Sequence, residues 1–198
     1  MLQYILSHSE RYSAAELAQM AIEGGCEWIC VHMPELSDHE LKAVMQEGVL
    51  DVCREAGRIL TIDDRPELAA ELGVHGVRLS LQYQTANPAT AFELREKIGP
   101  EAIIGLEVVD PAVLTTLAKA DIDFAFLPAR FTAEERATFI KTASSAALPI
   151  VAQGEFSNKE AADTIMIGFR GVAVSKAITD APDPVAATAS LRNAVLLM

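Results

Sequence analysis

Basic side chains are scarce in this 198-residue sequence: 16 Lys and Arg stand against 28 Asp and Glu, a formal net charge of −12. A surface this acidic repels phosphate backbones, so nucleic acid is excluded as an expected partner. Cysteine is nearly absent, with Cys26, Cys30 and Cys53 as the whole complement. Three cannot all pair, and no C-x-x-C or Cys/His spacing suits zinc. Each is expected to be a small buried hydrophobe in a protein of the reducing cytoplasm. No apolar run approaches the roughly 20 residues of a membrane helix. Met1–Glu10 also lacks the basic start and small-residue cleavage site of a signal peptide, so no membrane partner is expected. Long linkers, low-complexity tracts and charge blocks are missing too. Residues 1–198 therefore read as one domain, long enough to bury a real core.

What is present is an alternation of short apolar runs with longer segments of helical period. The runs are Leu2–Leu6, Trp28–Met33, Arg58–Ile62, Gly76–Leu79, Ala102–Leu106, Asp123–Leu127, Pro149–Ala152 and Gly171–Val174. Strands apolar on both faces suit a parallel sheet covered by helices. Ser13-x-x-Glu16, Ser37-x-x-Glu40 and Ser157-x-x-Glu160 are capping boxes that mark helix starts. Asn87-Pro88 and Asp110-Pro111 pair a capping side chain with a proline at the first helical position. Gly24, Gly57, Gly73, Gly99 and Gly168 mark helix ends. No G-x-G-x-x-G follows a strand, which argues against a dinucleotide-binding open sheet. Eight strand–helix units predict a (β/α)8 TIM barrel of minimal length.

Such a barrel places its chemistry at the C-terminal strand ends. Those ends carry Ser7, His8, His32, Asp63, Asp64, Arg65, Arg78, Ser80, Glu107, Arg130, Gln153, Gly154, Glu155, Ser175 and Lys176. Adjacent carboxylates at Asp63-Asp64 suit Mg2+, which takes one or two carboxylates plus water and substrate phosphate. Arg65 suits a bidentate phosphate contact. The plainer alternative makes Asp63 or Asp64 a cap for the following helix, with Arg65 balancing its charge. Gly154 and the Ser157-capped helix resemble an anion seat, and Glu155 places a negative charge in that same turn. Two unit charges about 4 Å apart at an effective dielectric near 20 repel by roughly 4 kcal/mol. Either Lys176 pairs with Glu155 or phosphate stays away. His32 titrates near neutrality and is a candidate general acid or base, and His8 is a similar candidate. His39 and His75 read as surface residues.

The run Ile62-Asp63-Asp64-Arg65-Pro66-Glu67-Leu68-Ala69, with Leu72-Gly73-Val74-His75-Gly76-Val77-Arg78-Leu79, resembles the I-N-D-R-x-x-L-A … L-G-A-D-G-V-H-L block of the thiamine phosphate synthase and TenI family. Leu148–Gly154 and Gly171–Ile178 are similar to that family's I-P-V-V-A-I-G-G and G-V-A-V-V-S-A-I segments. The likeness covers nearly the whole chain. It implies a transferase of thiamine biosynthesis that joins hydroxymethylpyrimidine diphosphate to a thiazole phosphate with Mg2+ and releases pyrophosphate. By the same resemblance Asp64 matches the metal-binding aspartate and Arg65 the adjacent catalytic arginine. Gly154 and Ser175 fall in the thiazole-phosphate site. Asp63, Arg78, Arg130 and Lys176 are the further substrate-binding candidates, with His32 as a catalytic one.

The sequence also departs from the family pattern. Q-x-R-x-K after the second strand becomes Cys30-Val31-His32-Met33-Pro34, and G-Q-x-D becomes Ser80-Leu81-Gln82-Tyr83. The second glycine of the phosphate turn is Glu155, and the loop at Pro128–Thr132 lacks the tautomerase histidine. The expectation is a divergent synthase acting on a small phosphorylated heterocycle. Two alternatives stand beside it. One is a non-catalytic binding or regulatory barrel; the other is a barrel enzyme of altered chemistry using His32, Glu107 or Asp63. A homo-oligomer is compatible with either.

Overall fold

Eight strands pair in parallel, each with its neighbour in sequence, and the last returns to the first to close the barrel. They are Leu2–Leu6 (β1), Trp28–Val31 (β2), Ile59–Asp63 (β3), Gly76–Leu79 (β4), Ile103–Glu107 (β5), Phe124–Pro128 (β6), Ile150–Gln153 (β7) and Gly171–Val174 (β8). The structure is a computed structural model that describes residues 1–128 and 131–196. Each predicted strand is present, three with the expected bounds and five with ends displaced by one or two residues, and the TIM-barrel expectation holds. No described helix is long and apolar enough to cross a membrane.

The connecting helices begin where the sequence signals them. Ser13, Ser37 and Ser157 cap Ala14–Glu23 (α1), Asp38–Val44 (α2) and Asn158–Met166, each with its reciprocal glutamate. Helix α2 runs through a π turn at Met45–Val49 into Leu50–Glu55 (α3). Next come Pro66–Leu72 (α4), Leu81–Ala86 (α5) and Ala91–Ile98 (α6). Leu114–Lys119 (α7) and Ala133–Ala146 (α8) precede Asn158–Met166 (α9), and Lys176–Thr179 (α10) and Pro184–Leu196 (α11) follow. One start differs. Asn87 ends α5, and the capping box of α6 is Thr90 with Glu93, so Pro88 lies in the connection. Thr90 offers both a hydroxyl cap and a glutamate three residues on, which Asn87 lacks.

Strand parity builds two cores. Outward residues such as Tyr4, Ile29, Ile62, Val77, Ile104 and Val172 pack under the helices in one large cluster. Inward residues Ile5, Trp28, Cys30, Phe124, Phe126, Val151 and Ala173 fill the barrel. Trp28 meets Phe124 edge-on at 5.1 Å and donates its indole N–H to Thr61 at 3.0 Å. Gly105 is required here, because a Cβ would lie 2.2 Å from the Phe124 ring. The barrel interior is thus packed mainly with apolar side chains, with Gln3, Thr61 and Arg78 buried among them, and further polar groups collect at the C-terminal rim.

Candidate active site

The rim is organised by a buried arginine. Asp63 on β3 and Arg78 on β4 are register partners, so both point inward at one level. Arg78 is wholly buried. Its guanidinium donates to Gln3 Oε1 at 2.7 Å and to Gln153 Oε1, and its central carbon lies 4.1 Å from the Phe126 ring centroid. Its Nε stands 3.3 Å from Asp63 Oδ1. This arginine braces four strands and has no exposed face to offer a substrate; the expectation of a binding role gives way to an internal one.

Asp63 is the next link outward. Its Oδ1 accepts from the Cys30 thiol at 2.9 Å, and its Oδ2 lies 3.1 Å from His32 Nδ1. Burial pushes the Asp63 carboxyl up, but Arg78 and then His32 and Cys30 outweigh that and hold it below its ordinary value. The Cys30 thiol is raised well above its usual range, by burial first and then by Asp63, so it remains a protonated donor. His32 is raised too, chiefly by its bond to Asp63, with burial working against the shift. Its side chain is 45% exposed and faces a cleft of about 370 Å3, which Asp64, Arg65 and Tyr83 also line.

Asp64 and Arg65 are both committed elsewhere. Asp64 adopts a left-handed φ of 55°, which a short polar side chain tolerates. Its two oxygens accept from the Ser80 N–H and hydroxyl, each at 2.7 Å, anchoring the start of α5. Neither Asp63 nor Asp64 caps α4; Arg65 occupies that position without a side-chain cap. The Arg65 guanidinium turns outward to Asp38 and the Leu36 carbonyl, 2.7 Å away. Mg2+ is usually held by one or two carboxylates, with water and substrate phosphate completing its shell. Here both Asp64 oxygens point to Ser80, Asp63 is enclosed by Arg78, His32 and Cys30, and Tyr83 stands where the family pattern has its second aspartate. No described cluster of three His, Cys, Asp or Glu residues is arranged to hold a metal. Both Asp64 oxygens are engaged by Ser80, so a Mg2+ completed by water and substrate phosphate would share this carboxylate with Ser80.

On the other side of the mouth, β7 and β8 lie in register, with Gln153 beside Ala173. Two residues on, Glu155 reaches the first turn of α10: its oxygens accept from the backbone N–H groups of Lys176 at 3.0 Å and Ala177 at 2.7 Å. The expected contact with Lys176 is therefore made to its backbone, and no described ion pair joins the two side chains. Gly154 donates its N–H to the Ala173 carbonyl at 3.0 Å. Ser175 donates its hydroxyl to the Ile5 carbonyl at 2.8 Å and meets the Ser7 hydroxyl at 3.0 Å, latching β8 to β1. Glu107 accepts from the Leu81 N–H at 3.0 Å. Arg130 lies outside the described residues.

The barrel brings His32, Asp63, Asp64 and Arg65 to one cleft and sets Gly154, Ser175 and Lys176 on the opposite arc of the same rim. Sequence reasoning missed Gln3, Gln153 and Cys30 as holders of the Arg78–Asp63 pair. The signal was available: Gln3 is a polar residue at inward parity in an otherwise apolar strand.

The family model described as thiamine monophosphate synthase matches residues 3–178. The thiamine-phosphate synthase of Bacteroides fragilis (strain ATCC 25285) is 32% identical, over 97% of this chain and 98% of its own. That of Bacteroides thetaiotaomicron is also 32% identical, over 97% and 96%. Among solved structures, thiamine phosphate pyrophosphorylase from Pyrococcus furiosus superposes with a TM-score of 0.81 at 24% identity, covering 98% of this chain and 94% of that one. The thiamine phosphate pyrophosphorylase structure from Bacteroides thetaiotaomicron gives 0.71 at 12% identity, over 99% and 96%. At those identities the structural likenesses speak for the fold alone. The family match spans most of the chain and both of these relatives exceed 30% identity, so this chain belongs to the thiamine monophosphate synthase family.

Proposed function

We propose that the C-terminal rim joins a hydroxymethylpyrimidine diphosphate to a thiazole phosphate, releasing pyrophosphate. The chain is synthase-like in family and fold. The observation that carries the reading to this site is the cleft itself, lined by Asp63, Asp64, Arg65 and Glu67 from the block that resembles the family, and by His32 and Tyr83 at positions that depart from it. The C–O bond to the diphosphate breaks, its electron pair leaves with the diphosphate, and the thiazole nitrogen supplies the pair of the new C–N bond. Three free, buried cysteines support a reducing cytoplasm as the setting.

Glu155 favours a second reading. Its carboxylate takes the two N–H groups at the start of α10 and repels an incoming phosphate. A barrel with that seat filled suits a heterocycle that lacks a phosphate, bound without condensation. The two readings separate when the purified chain is incubated with both substrates, with and without Mg2+, and thiamine phosphate is sought by mass spectrometry. Product supports the synthase reading. Absence of product, with calorimetric binding of the unphosphorylated thiazole alone, overturns it in favour of the second.

A further inference from the structure

The end of the barrel away from the rim holds a hollow of about 310 Å3 that the proposed reaction does not use. It lies around the start of β3, between the last turn of α3, Arg58, and the link from α4 into β4. Leu50, Cys53, Leu60 and Val74 give it apolar walls, and Arg54, Arg58 and His75 supply the polar groups. No Asp or Glu lines it, although acids outnumber bases 28 to 16 in the chain.

Arg58 is the anomaly. It is half-buried, and its Nε is shut off from solvent without an acceptor. Among the described residues its side chain makes no ion pair or hydrogen bond. A buried donor left without an acceptor is rare and costly, which points to a group from outside the chain. His75 is set up as a second donor. Its backbone N–H goes to the Leu60 carbonyl at 2.8 Å, and its Nδ1 accepts the Leu60 N–H at 3.1 Å. With Nδ1 accepting, the ring proton sits on Nε2, which has no partner among the described residues. Arg54 has only a 3.4 Å contact with Asp51, both side chains well exposed, and so weak a pair leaves its guanidinium free to turn inward. Gly57 and Gly73 end α3 and α4 in left-handed conformations, and a Cβ at either would meet nothing within 4 Å, so neither closes the hollow.

We infer that this hollow is a binding site for a small monocarboxylate with an apolar body. The carboxylate takes the Arg58 guanidinium, whose planar fork matches its two oxygens, with His75 Nε2–H and Arg54 as further donors. The body lies against Leu50, Leu60 and Val74. A phosphate dianion suits the place poorly. The α3 and α4 ends that border it are C-terminal, with partial negative charge that opposes a dianion twice as strongly, and no helix N-terminus offers backbone donors. Stripping water from a second charge against leucine and valine is a further cost. The whole of β3 separates Arg58 from Asp64, so the site and its test are independent of the condensation.

The test titrates benzoate, benzamide and inorganic phosphate separately into 15N-labelled protein, wild type and Arg58→Gln. Benzoate should shift the backbone amides of residues 53–60 and 73–76 saturably. Benzamide keeps the ring and lacks the charge; it and phosphate should bind more weakly by roughly tenfold or more. Arg58→Gln should weaken benzoate by about the same factor, the worth of one charge-assisted hydrogen bond. Three results overturn the inference: no saturable benzoate shift at the hollow, benzamide or phosphate binding as tightly as benzoate, or unchanged benzoate affinity in Arg58→Gln. If Arg58→Gln does not fold, the three ligands compared on wild-type protein decide alone.

Discussion

Replacing Glu155 with alanine should open the β7–β8 side of the mouth to a phosphate. In the folded chain its carboxylate accepts from two successive backbone N–H groups, at 3.0 and 2.7 Å. Alanine frees both donors and removes a negative charge. A phosphate about 4 Å from the carboxylate is opposed by roughly 4 kcal/mol at an effective dielectric near 20, and by about 1 kcal/mol in bulk water. Glu155 is exposed, so the value falls between these limits, and affinity for a thiazole phosphate should rise on the order of tenfold to a hundredfold. Glu155→Gln loses the charge but keeps one acceptor, so its gain should be smaller. Isothermal calorimetry with the thiazole phosphate and the unphosphorylated thiazole reads the effect, and only the phosphate ester should gain. Unchanged affinity for the ester in Glu155→Ala would refute the reasoning that this carboxylate holds the seat.

Other perturbations have equally definite outcomes. Arg78→Met leaves Asp63 buried beside two glutamines without their donor, and urea denaturation should show a loss of about 3–5 kcal/mol. The double variant with Asp63→Asn should lose less than the sum of the two single variants. Gly105→Ala drives a Cβ into the Phe124 ring and should cost about 1–3 kcal/mol by the same measurement. The pH dependence of stability has two limbs. Asp63 is held below its ordinary value near 3.8, so its contribution is full above that pH and is lost as pH falls through the lower folded value. His32 is raised above 6.5, so its contribution is full below 6.5 and is lost as pH rises through the higher folded value. Denaturation midpoints across pH should lose the alkaline limb in His32→Gln.

The barrel was legible because its determinants are local. Short apolar strand runs, capping boxes at Ser13, Ser37 and Ser157, and helix-end glycines each act over a few residues, and eight repeats of the unit leave few ways to close. Even the α6 start was written in Thr90 and Glu93, although Asn87-Pro88 offered a competing signal. The site was harder to read because its meaning lies in distant pairings. Asp64 reads as a metal ligand alone, and only the fold brings Ser80, on the next strand end, to both its oxygens. Arg65 reads as a phosphate clamp until Asp38 claims it from α2. Glu155 was identified as anomalous, but its donors are backbone N–H groups, which no side-chain pattern encodes. Asp63 and His32 come together because the β2 and β3 ends are neighbours, and that follows from the barrel, with no motif announcing it.

The pyrimidine diphosphate should settle in the cleft at the C-terminal rim. Titrating it into 15N-labelled protein and following backbone amide shifts should perturb residues 32–33, 63–65 and 80–83, around the cleft at the C-terminal rim. Shifts confined to the opposite end of the barrel, where Cys53, Arg58 and His75 line a hollow of about 310 Å3, would contradict it.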